Sequence, residues 1–379
     1  VFALFAVAAG TNVPTPLLLV YQERLDLSAE VLTALFGSYA AGLVPALLLA
    51  GPLSDRLGRR RVALPGMLLA VLASLAFATA GGSIALLFGA RFLQGVVSGV
   101  VFSVGSAWVA ELSLASGEGA GGRRAAFAMT AGFSLGPFVS GFLGQYAPAP
   151  TVLPYLVHAV LAAGGLALAT RLPETVDLLP DGGQPGAAAQ LVPLIRPGDG
   201  RVVLTVLAPV AVCVYAFPTA VVSAVPLLVE LPGAGVAVTG VIAGVTLGAG
   251  TLVAGLQRRL GRGTAVVGTA LGTAGFAAAT AFAVTEALPW LALASPLLGA
   301  GGGLCLAAGL TLTARLAAPT RRGALTSLFL ACAYLGFAAP FLIASAARAT
   351  SAPVPLAVAA ALTALLTVRL VPAARRRQL

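Results

Sequence analysis

The sequence predicts an all-α integral membrane protein of twelve transmembrane helices, arranged as two pseudo-symmetric six-helix halves. Three observations carry this. The 379 residues are 59% hydrophobic and only 9% charged, whereas soluble domains are about one quarter charged. Apolar, charge-free runs of membrane-crossing length, about 20 residues each, follow one another along the chain. Finally, Arg56-Leu57-Gly58-Arg59 recurs as Arg259-Leu260-Gly261-Arg262, 203 positions on, as in a chain built from two related halves.

The spans follow from the positions of charges and breakers. Phe2 to Val20 is the first and Val31 to Ala50 the second. Val62 to Ala80 and Ile84 to Ala110 are the third and fourth, divided by Gly81-Gly82-Ser83. Ala125 to Thr170 is too long for one crossing, and it breaks at Ala147-Pro148-Ala149-Pro150-Thr151 into the fifth and sixth. Two closely spaced prolines there remove donors and fix backbone angles. Residues 172–200 are polar and rich in Pro and Gly, and read as a linker between an N-terminal half (1–171) and a C-terminal half (201–379). Val202 to Val229, Val236 to Leu256, Thr264 to Thr285, Leu288 to Ala314, Ala324 to Ala347 and Val354 to Val368 complete the twelve.

With the linker placed in the cytoplasm, all 22 arginines except Arg24, Arg348 and Arg91 fall in or beside cytoplasmic segments. That asymmetry follows the positive-inside rule and puts both chain ends inside, in a bacterial-type plasma (inner) membrane. The repeat extends further: Gly95 and Gly99 correspond to Gly299 and Gly303, and Arg123-Arg124 to Arg321-Arg322. Arg258 stands where Asp55 would be, so the task of Asp55 is expected to be done once, in the first half.

A net charge of +10 does not indicate nucleic acid, because the arginines are spread over many short loops rather than one face. There is no lysine, a bias that a GC-rich genome would give. Cys213, Cys305 and Cys332 each stand alone in apolar runs, so neither metal nor disulfide is expected. The first residue is Val and no cleavable signal is visible, so a few residues are expected to precede it. No nucleotide loop, His/carboxylate cluster or activated nucleophile is present to suggest an enzyme or a cofactor.

The stretch Gly51-Pro52-Leu53-Ser54-Asp55-Arg56-Leu57-Gly58-Arg59-Arg60-Arg61 lies between two charge-free runs. Five ionised groups cannot sit in hydrocarbon, so it reads as a tight loop in water, with Gly51 and Gly58 at its two ends. Asp55 is its only acid and the group expected to pair. The order Gly51, Leu53, Asp55, Arg56, Gly58, Arg59, Arg60 resembles the signature loop between the second and third helices of the major facilitator superfamily. That resemblance implies a secondary transporter working by alternating access, with this loop as a gate. Asp55 and Arg59 are expected to form its latch, with Glu111 at the inner end of the fourth span as the partner of Arg59.

Arg91 lies seven residues into the fourth span, roughly 10 Å below the surface at 1.5 Å per residue. An intramembrane arginine is costly and usually faces a bundle interior or a watery cavity; the alternative is that it snorkels to the interface and pins a helix. The run Arg91-Phe92-Leu93-Gln94-Gly95 resembles the superfamily's fourth-helix motif, which implies a part for Arg91 and Gln94 in proton coupling. In the fifth span, Gly132, Gly136, Pro137 and Gly141 form a stripe of small residues that lets two helices touch. It resembles the Gly-Pro motif of the superfamily's drug exporters, with Ser140 in place of one glycine. Pro14 and Pro16 after Asn12 resemble the same drug–proton antiporter branch.

Asn12, Tyr39, Tyr215 and Phe217 are the polar or aromatic side chains expected to line a substrate cavity. His158, the only histidine, falls in a flanking helix and reads as structural. All twelve acids lie in loops or at span ends. Lipophilic-cation exporters often need a carboxylate in mid-membrane; here the only deep charge is Arg91. The expected activity is therefore proton-coupled efflux of small hydrophobic, neutral or weakly anionic compounds by a monomer. Its surroundings would be a bilayer with anionic inner-leaflet lipids. A solute uptake symporter would need more polar cavity residues. A non-transporting sensor would need neither matched halves nor Arg91.

Overall fold

The computed structural model describes residues 1–113, 115, 120–175, 200–229, 235–316 and 322–375, and every described element is helical. Most of the expected linker, residues 176–199, lies outside them. Eleven helices among the described residues are long and apolar enough to cross a membrane. A twelfth, Leu153–Ala169, has 17 residues, about 26 Å at helical rise, near the lower limit for a span.

The first half comprises α1 (Phe2–Thr11), α2 (Pro14–Leu25), α3 (Ala29–Leu57), α4 (Arg59–Thr79), α5 (Ile84–Leu112), α6 (Ala120–Tyr146) and α7 (Leu153–Ala169). The first span is thus two helices rather than one. It also runs one turn past the expected end, to a left-handed cap at Asp26 (φ 49°). The second span runs on to Leu57, so the expected loop from Gly51 to Leu57 is helix and only Gly58 separates α3 from α4. Gly51 is therefore not a turn residue. It lies mid-helix facing Ser103 of α5. The charges of Asp55 and Arg56 need water, not a loop, and a helix end at the interface supplies it. The break between the fifth and sixth spans falls at residues 147–152, as the two prolines require.

The second half comprises a seventh span built around α8 (Ala208–Thr219), then α9 (Gly235–Leu252), α10 (Thr264–Thr285), α11 (Leu288–Leu316), α12 (Arg322–Tyr334), α13 (Ala339–Ala349) and α14 (Pro353–Arg375). Two features interrupt regular α-helix. π-helical turns at Val203–Leu207 and Ala220–Ala224 flank α8, and a 3₁₀ turn at Leu335–Ala338 divides the eleventh span into α12 and α13. Such turns relocate backbone hydrogen bonds and are frequent at functional sites.

The chain divides into two compact units, residues 1–182 with 231–244 and residues 183–230 with 245–379. The start of α9 joins the first unit because Gly240 and Gly244 lie against the backbone of α6.

With lipid outside, hydrophobic burial does little to hold helices together, and close packing of small residues takes over. A Cβ placed on Gly95 would stand 2.0 Å from Tyr39 O, and one on Gly99 2.6 Å from Leu43 O, so α5 rests directly on the backbone of α3. The second half repeats this. Gly299 and Gly303 of α11 leave 1.9 Å to Thr246 O and 1.9 Å to Gly250 O of α9. The alanine- and valine-rich core of the first unit, including Val7, Ala63, Met67, Ala70, Val101 and Trp108, fills in behind these contacts.

Candidate functional site

The deepest polar cluster begins with the break in the first span. Pro14 has no N–H for Gly10 O, and Pro16 has none for Asn12 O. Tighter turns replace the lost bonds: Val13 N donates to Gly10 O at 3.2 Å and Thr15 N to Asn12 O at 3.1 Å. The carbonyls of Gly10 and Thr11 then take donors from α5. Gln94 Nε2 donates to Gly10 O at 2.5 Å; Arg91 Nη1 donates to Thr11 O at 2.6 Å and to Gln94 Oε1 at 2.5 Å. One turn further, Thr11 Oγ1 and Ser98 Oγ are 3.3 Å apart, and Ser98 Oγ donates to Gln94 O at 2.9 Å. Arg91, Gln94 and Ser98 share one face of α5 by their i, i+3, i+7 spacing.

Arg91 is 2% exposed, and its guanidinium carbon lies 4.8 Å from the ring centre of Tyr39. A desolvated guanidinium over an aromatic face is a cation–π contact, about 2 kcal/mol when water is excluded. Arg91 therefore does not snorkel. It joins the first, second and fourth spans. Of the residues expected to line a cavity, Tyr39 is buried beneath Arg91, while Asn12 caps α1 and is half-buried.

A second cluster lies at the α3–α4 junction. Gly58 adopts φ +100°, a conformation that L side chains rarely take. A Cβ there would also meet Glu174 Oε2 at 2.5 Å. Arg59 Nη1 donates to Asp55 Oδ1 at 2.5 Å and to Ser54 Oγ at 2.6 Å. On the other side, Arg59 Nη2 donates to Glu111 Oε1 at 2.8 Å and Nε to the same oxygen at 3.1 Å. The expected trio of Asp55, Arg59 and Glu111 is thus joined. Arg56 is exposed, and Arg60 Nη2 donates to Thr170 O at 2.7 Å.

What closes this junction comes from the segment after the sixth span. Glu174 accepts from the backbone N–H of Arg59 and of Arg60, both at 2.9 Å, capping the N-terminus of α4 from outside the helix. Thr175 Oγ1 donates to Glu111 Oε2, and Trp108 Nε1 holds the segment through Pro173 O at 3.0 Å. The only available signal was an acid directly after the sixth span. A carboxylate on two free N–H groups at a helix start is worth about 0.5–2 kcal/mol. Glu174→Gln is therefore expected to lower the melting temperature by a few degrees, roughly what such an energy gives. An unchanged melting curve in detergent would show that the cap contributes nothing.

The fifth-span motif packs on both its sides. Gly132 and Gly136 lie against the Phe5 and Ala9 carbonyls of α1, with only 2.5 and 2.0 Å to a hypothetical Cβ. Gly141 faces Gly240 of α9, and Pro137 O abuts Gly240 in turn.

In the second unit, Tyr215 is stacked on Tyr334 with ring centres 4.6 Å apart, and Phe337 lies 5.3 Å from it. The two tyrosine hydroxyls are 3.3 Å apart. Gly336, in the 3₁₀ turn, brings these rings together by pressing on Val212 O and Ala216 N. Phe217 departs from expectation. It is 1% exposed, edge-on to Phe276, and fills the space left by Gly272 and Gly301. It is a packing residue, because two positions from Tyr215 turns it to the opposite side of the helix.

His158 is buried between Ser74 Oγ (2.5 Å from Nδ1) and Ala6 O (2.9 Å from Nε2), both ring nitrogens engaged. Cys213 and Cys305, isolated in sequence, are both buried free thiols in the second unit. No group of three metal-ligating side chains occurs among the described residues.

Comparison with known proteins bears on this architecture. The family model of the Major Facilitator Superfamily matches residues 1–339. Multidrug resistance protein MdtL of Escherichia coli O45:K1 is 40% identical over 80 residues, and that of Shigella flexneri serotype 5b is 39% identical over 80. These matches span 21% of this chain and 20% of the relative's length. Among solved structures, a mutant POT peptide transporter in complex with sulfate superposes with a TM-score of 0.81 at 16% identity, covering 99% of this chain and 93% of the other. A D-xylose–proton symporter gives 0.75 at 18% identity, covering 98% and 97%. At those identities the likeness is one of fold. With a family model matched over most of its length, this multi-pass membrane chain belongs to the Major Facilitator Superfamily.

Proposed function

We propose that this chain is a transporter that exports small hydrophobic compounds, neutral or weakly anionic, in exchange for protons by alternating access. The observation that carries the charge preference is Arg91. It is the one ionised side chain deep within the described spans, and every described acid lies in a loop or near a helix end. A lipophilic cation would enter a cavity of low dielectric with no counter-charge. Like charges about 8 Å apart repel by roughly 2 kcal/mol even at an effective dielectric near 20, more than tenfold in affinity. A neutral compound avoids that cost and an anion gains from it.

Efflux is supported by the partial similarity to the MdtL proteins, which are named for multidrug resistance. The aromatic trio of Tyr215, Tyr334 and Phe337 supplies flat apolar faces suited to such compounds. Arg91 and Gln94 are assigned to coupling, and Asp55, Arg59 and Glu111 to gating. In this reading the two halves 1–171 and 201–379, joined by the linker, act as the moving bodies. The protein is a monomer in a bacterial inner membrane with both termini in the cytoplasm, as the arginine distribution favours.

The test is flux in proteoliposomes under an imposed pH gradient, using dyes matched in size but differing in charge. Neutral and weakly acidic dyes are expected to move at least about tenfold better than quaternary ammonium ones, from the repulsion above. Faster export of the cations would refute the charge preference. Flux indifferent to the gradient would refute the coupling.

A further inference from the structure

We propose that the groove between α6 and α7 of the first unit holds one straight hydrocarbon chain, the acyl tail of a bilayer phospholipid. The site is independent of which compound the protein transports.

The groove exists because α6 and α7 both lie on the first span while touching each other little. Gly132 and Gly136 seat α6 on the backbone of α1, and a Cβ on Gly165 of α7 would stand 3.2 Å from Ala3 Cα. Residues 147–152 join the two helices at one end only. The first span forms the floor, with Phe5, Ala9 and Val13 four residues apart on one face. Val139 and Leu143 stand on the α6 wall, Val157 and Leu161 on the α7 wall. The space is about 370 Å³, the size of a ligand site and far beyond the water-sized voids of ordinary packing.

Depth, access and chemistry together name the occupant. Leu135, the deepest lining residue of α6, lies eleven residues from Tyr146 at the end of that helix, about 16 Å at helical rise. That is half of a hydrocarbon core of about 30 Å, so the groove runs the length of one leaflet. It opens sideways, because Leu135 and Val139 on one wall and Val157 and Val160 on the other are exposed. On membrane-crossing helices such apolar walls meet lipid. The two polar side chains of the described lining are already engaged. Ser140 Oγ donates to Pro137 O at 3.2 Å, and both ring nitrogens of His158 are held by Ser74 and Ala6. A transported compound is oriented by a few placed polar groups; a lipid tail needs none.

Lipid tails are as apolar as this lining, so the groove selects by fit. Left empty, its walls would lose dispersion contacts outright. Ala9 and Val13 bracket the break whose Gly10 and Thr11 carbonyls accept from Gln94 and Arg91. A seated chain therefore packs directly on the broken part of the first span.

The test uses the full chain in phosphatidylcholine bilayers with a trace of phosphatidylcholine carrying a nitroxide in mid-chain. Electron paramagnetic resonance over a range of lipid-to-protein ratios counts the chains that exchange slowly. The wild type is expected to hold one slow chain more than Val157→Trp, whose indole would fill the groove. Val139→Trp, from the opposite wall, should lose the same chain. Leu68→Trp, on the exposed side of α4, should keep it. All three positions are exposed, so the substitutions leave the packed interior untouched. The proposal is overturned if the wild type and both groove variants slow the same number of chains, or if Leu68→Trp loses the chain as well. Displacement of the chain by pyrene, a neutral aromatic probe, would also overturn it, since the groove would then take solutes in place of lipid.

Discussion

Replacing Arg91 by alanine is expected to abolish proton-driven transport while leaving substrate binding measurable. The guanidinium supplies donors to Thr11 O and Gln94 Oε1 in a site sealed from water. Removing a donor from a buried acceptor costs about 1–3 kcal/mol, enough to shift a two-state conformational equilibrium tenfold or more. The loss falls on the broken first span, the element whose backbone Arg91 and Gln94 hold. Its consequence is therefore a change in conformational cycling and not in the substrate's own contacts.

Lysine is a sharper probe. Arg91→Lys keeps the charge but replaces a planar fork by a point donor, which loses the stacking over Tyr39 and the paired bonds from one plane. It is expected to transport at a small fraction of the wild-type rate. Flux in inverted vesicles, with a thermal-shift assay for substrate, separates the two effects. A fully active lysine variant would reduce Arg91 to a helix anchor.

What could be read from the sequence, and what could not, divides by the range of the interaction. The junction was legible because its chemistry is local. Asp55 and Arg59 are four residues apart, and Glu111 is the acid closest to the end of a neighbouring charge-free run. The break in the first span has a local cause, Pro14 and Pro16, although the charge-free run was expected to be one helix. Its partners were not, because Gln94 reaches Gly10 across 84 positions. Gly51 was misread as a turn residue, since charge alone does not distinguish a helix end in water from a loop. Phe217 failed for a related reason. An aromatic side chain in a span looks the same whether it faces a cavity or a neighbour, and the room made by Gly272 and Gly301 decides which. Glu174 showed only as an acid directly after the sixth span, because a cap supplied from another segment leaves no pattern in the helix it caps.

Neutralising Asp55 is expected to cut transport severalfold with little change in stability, whereas neutralising Glu111 should harm both. The Asp55 side chain is 63% exposed, and an exposed pair contributes about 0.2–1 kcal/mol. Glu111 is 29% exposed, takes three hydrogen bonds from Arg59 and accepts from Thr175 as well. Losing such charge-assisted bonds costs about 1.5–3 kcal/mol. Arg59 itself is 12% exposed and bonds to both acids at once. If the junction works as one gate, Asp55→Asn and Glu111→Gln must be non-additive, because each removes an acceptor from the same guanidinium. The measurement is a double-mutant cycle in flux and in melting temperature. Additive losses in flux would mean that the two carboxylates act separately, and wild-type flux in Asp55→Asn would remove Asp55 from the gate while leaving Glu111 as a structural partner of Arg59.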